Sequence, residues 1–129
     1  MGRVEKILFA WLVAMLVGVT ATGAYVVVEH ATRCSRFTFS AADWRAPHAD
    51  RGKIAHRLVE CHRLDGLSGD EVLARLGKPQ DRSRFKRRLT LGYNAGSYEG
   101  FIFGGTEMLE VELSARHLVR RVWIDQIND

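Results

Sequence analysis

His56, Cys61 and His62 are residue types that hold metals, and Ser97 is a nucleophile type flanked by glycine, so the search for chemistry starts with them. Adjacent helix positions diverge by about 100 degrees, so Cys61 and His62 cannot point at one ion from one helix. There is no second ligand pair such as Cys-x-x-Cys to complete a site. The plainer reading has Cys61 packing in an apolar helix stripe while His62 favours the negative helix end. Ser97, in Gly96-Ser97-Tyr98, has neither a Gly-x-Ser-x-Gly elbow around it nor a base beside it in the sequence. Glu110 and Glu112 fall on one strand face with Met108, in solvent, where their acidity would be ordinary. Glycines 92, 96, 100, 104 and 105 precede neither Gly-Lys-Ser/Thr nor a helix, and fit a mobile connection better than a phosphate cradle. No catalytic, metal or cofactor-binding residue is assigned, and no small-molecule ligand is inferred. A non-enzymatic role is expected, with an enzyme of unrecognised type as the alternative.

Charge is more informative. Arg82, Arg84, Lys86, Arg87 and Arg88 place five cations in seven residues, enough to attract anionic headgroups or an acidic partner. They also suit a solvated loop leading into an edge strand that charge protects from aggregation. Arg84, Arg87 and Arg88, together with Arg121 and Trp123 as outward strand positions, form the candidate interaction surface, because buried Trp and Arg dominate interface energy. Trp123 reads equally well as a core residue. The formal net charge of +4 is too mild to imply nucleic acid.

These residues must be positioned by a chain of 129 residues, 47% apolar and 26% charged, whose apolar content is uneven. From Leu8 to Val28 there are 21 residues without a charge, about 31 Å as a helix, enough to span a hydrocarbon core. Trp11 and Tyr25 lie near opposite ends, as interfacial aromatics do. The competing reading is a cleaved export signal with Arg3 and Lys6 as its basic start and Ala21-Thr22-Gly23 as the small-residue site. Val26, Val27 and Val28 extend the apolar run beyond that site and favour an anchor. Cys34 follows Ala31-Thr32-Arg33 and so lacks a lipobox. The expectation from these residues is a single-pass membrane protein, or an exported protein after cleavage. Charge does not decide orientation. Placement in the bacterial inner membrane with the body on the periplasmic or extracytoplasmic side rests on the shortness of the head and on a family resemblance carried by the body.

The division expected is an anchor at 1–29, a juxtamembrane linker at 30–49 and an α+β domain at 50–129. Asp50 is a fair N-cap for a helix whose stripe is Ile54, Leu58 and Cys61, with Gly66 able to close it. In Leu67 to Pro79, Ser68 and Glu71 form a capping box, Leu67 and Val72 a hydrophobic staple, and Gly77 with Pro79 the stop. Leu89–Tyr93, Glu107–Leu113 and Leu118–Ile124 read as strands. Leu109, Val111 and Leu113 alternate with Met108, Glu110 and Glu112, and the four residues from Ser114 to His117 make the last two strands an antiparallel hairpin.

Two helices followed by three antiparallel strands, with Leu64-Asp-Gly-Leu-Ser-Gly-Asp-Glu-Val-Leu-Ala-Arg-Leu-Gly-Lys-Pro79, resemble the SmpA/OmlA group typified by BamE. Leu109–Leu113 and Val119–Ile124 look like the closing hairpin of that fold, so the resemblance runs from about Ile54 to Ile124. It implies a small envelope domain of two helices packed on a three-stranded sheet that binds another protein and catalyses nothing. A lipid-surface docking domain is the further alternative. The chain departs from the lipoprotein members in having no lipidated cysteine, which puts an outer-membrane assembly role in doubt. It also has Ala115-Arg116-His117 where the last turn usually carries glycine. No binding residue carries over, because the matching motif is structural. If the body is exported, Cys34 and Cys61 can bridge, tying the juxtamembrane stretch to the first helix of the body for about 3–4 kcal/mol. Cys61 also suits the helix stripe as a free thiol.

Overall fold

A computed structural model describes residues 2–46, 50–98 and 104–128. The chain divides into two compact units, Met1–Phe37 and Thr38–Asp129. The first is one helix, α1 (Arg3–Arg36), of 34 residues with no buried residue. It is long and apolar enough to cross a membrane. Its hydroxyls leave few loose polar ends, since Thr20 Oγ1 donates to the Leu16 and Val17 carbonyls and Thr22 Oγ1 to the Gly18 carbonyl. Such back-bonding lets hydroxyls sit in hydrocarbon. The helix runs on past Val28, where Glu29 and Arg33 pair one turn apart. Residues 30–36, expected in a linker, are therefore helical.

The second unit is α+β, with helices α2 (Ala41–Arg45), α3 (Arg51–Glu60) and α4 (Gly69–Leu76) and strands β1 (Asp81–Phe85), β2 (Arg88–Tyr98), β3 (Gly105–Leu113) and β4 (Val119–Asn128). The strands form one antiparallel meander in the order β1-β2-β3-β4. The expected class is present, but with four strands in place of three and a third helix. β1 is the added strand: the basic run does not lead into an edge strand, it forms one.

Alternation sends Leu89, Leu91 and Tyr93 of β2 and their partners Leu113, Val111 and Leu109 of β3 to one face. Helix α3 packs against β2 and β4 on that side, contributing Ala55 and Leu58 to the core. Trp44, which α2 carries, is 1% exposed. Its indole N–H donates to the Leu76 carbonyl at 3.1 Å, and its ring meets Tyr93 edge-on at 6.5 Å. Arg45 Nη2 donates to the Ala74 carbonyl and fixes α2 to α4 from outside. Burial pushes the Tyr93 phenol up to about 12, against the opposing pull of Arg82, so its O–H stays protonated and donates to the Gly77 carbonyl at 3.1 Å.

Local chemistry accounts for the helix ends. Asp50 accepts from the Lys53 amide and starts α3. Ser68 and Glu71 cap α4 reciprocally, at 2.7 Å for the Ser68 amide and 3.2 Å for the Ser68 hydroxyl. The Ser68 amide, more than its hydroxyl, holds the Glu71 carboxyl below its ordinary value. Helix α3 does not close at Gly66. His62 takes a positive φ of 53°, with His62 N–H donating to Val59 and Arg63 N–H to Leu58. That double bond is the Schellman arrangement, made here by a non-glycine residue. Gly66, at φ 73°, ends the turns that follow. His117, at φ 59°, likewise occupies the bend in the last turn where glycine is usual.

Candidate interaction surface

Chemistry-bearing side chains disperse in the fold. His56 Nε2 lies 3.3 Å from both carboxylate oxygens of Glu107, which also accepts from Gln126. His62 turns instead to Asp65 at 3.0 Å. Neither cysteine is a free thiol; Cys34 and Cys61 are disulfide-bonded. Among the described residues no group of three or more His, Cys, Asp or Glu is placed to hold a metal ion. Ser97 is exposed in β2 opposite Thr106. Of the glycines expected in a mobile connection, Gly92 and Gly96 belong to β2 and Gly105 to β3. Gly96 (φ 112°) adjoins the β2 bulge between Asn94 and Gly96, and Gly100 falls outside the described residues.

The face of the sheet away from the helices is set by the register. It carries Asp81, Ser83 and Phe85 of β1 opposite Gly92, Thr90 and Arg88 of β2. Next come Met108, Glu110 and Glu112 of β3, opposite Asp125, Trp123 and Arg121 of β4. Trp123 is therefore an open-face residue, while its neighbours Val122 and Ile124 point to the core face. The Arg121 guanidinium stacks over the Trp123 ring at 4.8 Å from its centre. Glu112 gathers cations, with Arg120 at 3.4 Å and Arg88 at 3.9 Å. Arg120 can reach it because a register shift at Glu112/Leu113 bulges β4 at that point.

The five candidate residues are not one patch. Arg88, Arg121 and Trp123 share the open face, and Arg87 sits in the two-residue turn after β1. Arg84 pairs with Leu89 and so belongs to the opposite, helix-bearing face. Sequence reasoning missed Phe85 and Arg120, and counted Lys86 in the basic run without choosing it for the surface. Phe85 is 74% exposed, with the Lys86 ammonium 5.5 Å from its ring centre. An aromatic residue set among five cations was the available signal.

Two expectations about β3 are corrected. Met108 is buried although it lies on the open face, and Glu110 is half-buried, not bathed in solvent. Desolvation raises the Glu110 carboxyl above its ordinary value, and the carboxylates of Asp81 and Asp125 add to it. Gly92 leaves the space Glu110 occupies, since a β-carbon there would meet both carboxylate oxygens at 3.3 Å. A group whose folded pKa is raised favours folding below its unfolded pKa, and that contribution is lost as pH rises through the folded value. Glu110→Gln should therefore raise the melting temperature at about pH 7. Near pH 3, where Glu110 is protonated in both states, the advantage should vanish. A variant that melts lower than the parent at neutral pH would refute this.

No protein-family model, curated protein or solved structure matches the chain.

Proposed function

We propose that the chain is a membrane-anchored, non-enzymatic interaction module of the bacterial cell envelope, whose open sheet face binds another protein. The observation that carries this reading is the Arg121–Trp123 stack on a sheet face that no described element of the body covers. A half-buried Trp flanked by Arg is the residue combination that anchors interfaces. The resemblance to the SmpA/OmlA group, in Leu64–Pro79, Leu109–Leu113 and Val119–Ile124, supports the same class of role. The helix α1 supports a retained anchor over a cleaved signal, because its apolar surface continues to Val28. The oxidised cysteines favour an extracytoplasmic body, since disulfides persist outside the reducing cytosol. With two cysteines in the chain, the reading pairs Cys34 with Cys61.

The test is photo-crosslinking in native membranes washed with alkaline carbonate. The full-length chain should stay in the pellet and label with maleimide only after reduction. Trp123→Ala should lose its crosslinked partner while the melting temperature of the body shifts little. Release of the chain by carbonate would overturn the anchor, and two reactive thiols before reduction the bridge. A crosslink pattern unchanged in folded Trp123→Ala would overturn the choice of surface.

A further inference from the structure

The hairpin tip joining β1 to β2 is a second surface of different chemistry. Lys86, Arg87, Arg88 and Arg120 line a cleft of about 490 Å³ with Ser114 and Ala115. These side chains border the cleft largely through their carbon stems, so the cationic heads stand around its rim, with Glu112 the acid paired with Arg88 and Arg120. Phe85 projects from the same tip, 74% exposed, and no residue of β1 is buried. Lys86 takes a positive φ of 56° in the two-residue turn, which places the aromatic ring and the cations at the end of a paired hairpin.

We propose that this tip docks on anionic phosphodiester headgroups of the bilayer that holds α1, with Phe85 entering the headgroup layer and the cations around it taking the phosphates. Charge complementarity favours a lipid surface over an acidic protein segment, because a ring prominent at the tip is desolvated by entering an interface from above. A protein strand added at β1 would use the strand's edge and leave Phe85 in water. Nine residues of chain lie between Val28 and Thr38, so the tether keeps the tip at high effective concentration near the surface. The inference rests on the retained anchor proposed above, though not on the protein partner.

The experiment reconstitutes the full chain in nanodiscs of phosphatidylcholine, with or without phosphatidylglycerol, and follows amide hydrogen exchange by mass spectrometry. Amides of residues 81–90 should exchange at least about tenfold more slowly in the anionic discs, and raised salt should reverse the effect. Phe85→Ser and the double variant Arg87→Ser/Arg88→Ser should each lose most of that protection. Exchange in β3 should stay unchanged, which establishes that the variants fold. Equal exchange in both kinds of disc would overturn the proposal, as would protection by inorganic phosphate in zwitterionic discs with none from anionic lipid. Protection that appears only with membrane extract would assign the tip to a protein. Failure of the chain to remain in the discs would instead overturn the anchor itself.

Discussion

Trp44→Ala should destabilise the body by about 3–5 kcal/mol, the range for deleting a fully buried large side chain. The loss has three parts. The ring leaves a cavity in a site that is 1% exposed. The Leu76 carbonyl loses the indole N–H that satisfies it, and a carbonyl at a helix end has no partner within the helix to replace it. Arg51, whose guanidinium lies 5.0 Å from the ring centre and whose Nε donates to the Trp44 carbonyl, loses its stacking surface. Trp44→Phe separates these parts, because it keeps most of the ring and removes the donor; it should cost about 1–3 kcal/mol. Thermal and urea unfolding of the full chain in detergent, followed by near-ultraviolet circular dichroism, gives both values. A loss below about 1 kcal/mol for the alanine variant would mean that α2 contributes no core.

Gly77→Val should have the next largest effect. Gly77 ends α4 at φ 82° and ψ −157°, a region that is in practice reserved for glycine and costs other residues about 1–3 kcal/mol. Space is not the obstacle, since a β-carbon would meet the Arg45 guanidinium at an ordinary 3.7 Å. Strain is. The position also holds two bonds in register, its N–H to the Leu73 carbonyl and its carbonyl from the Tyr93 hydroxyl. A valine that relaxes φ to a negative value must give up one of them. Gly66→Ala, with open space around it at φ 73°, is the milder comparison at about 1 kcal/mol. Equal melting temperatures for the parent and Gly77→Val would contradict the stop conformation.

What the sequence made readable follows from where local physics and burial agree. Helix α4 has a capping box, a glycine stop and a proline within twelve residues, and both of its ends appear where those signals put them. Strand β3 alternates because one of its faces is core. Strand β1 has no such signal: Asp81–Phe85 is exposed at every position, so backbone pairing with β2 alone makes it a strand, and pairing leaves no mark on composition. Helix α2 is five residues long and owes its place to Trp44, a tertiary contact without periodicity. The end of α3 was misplaced because a histidine took the positive φ that a search for glycine assigns to Gly66. The candidate surface was half legible. Trp123 and Arg121 could be placed outward by alternation, whereas the basic run looked like one patch until the two-residue turn at Lys86 and Arg87 showed which parity each arginine follows. Arg84 then falls behind the sheet, and Phe85 and Arg120, passed over as individual residues, enter the tip.

The burial of Trp44 also dictates an order of assembly. The ribosome releases Trp44 before either of its partners, and Tyr93 lies 49 residues downstream, about 2–10 s later at ordinary elongation rates. Until then Trp44 lacks the ring that meets it edge-on and has only nearer residues such as Arg51 to cover it. The β-meander closes through short loops and can form early, whereas α2 must wait for the distant contacts that carry the larger loop-closure cost. Nascent chains should thus stay sensitive to protease near residue 44 after β2 and β3 have paired.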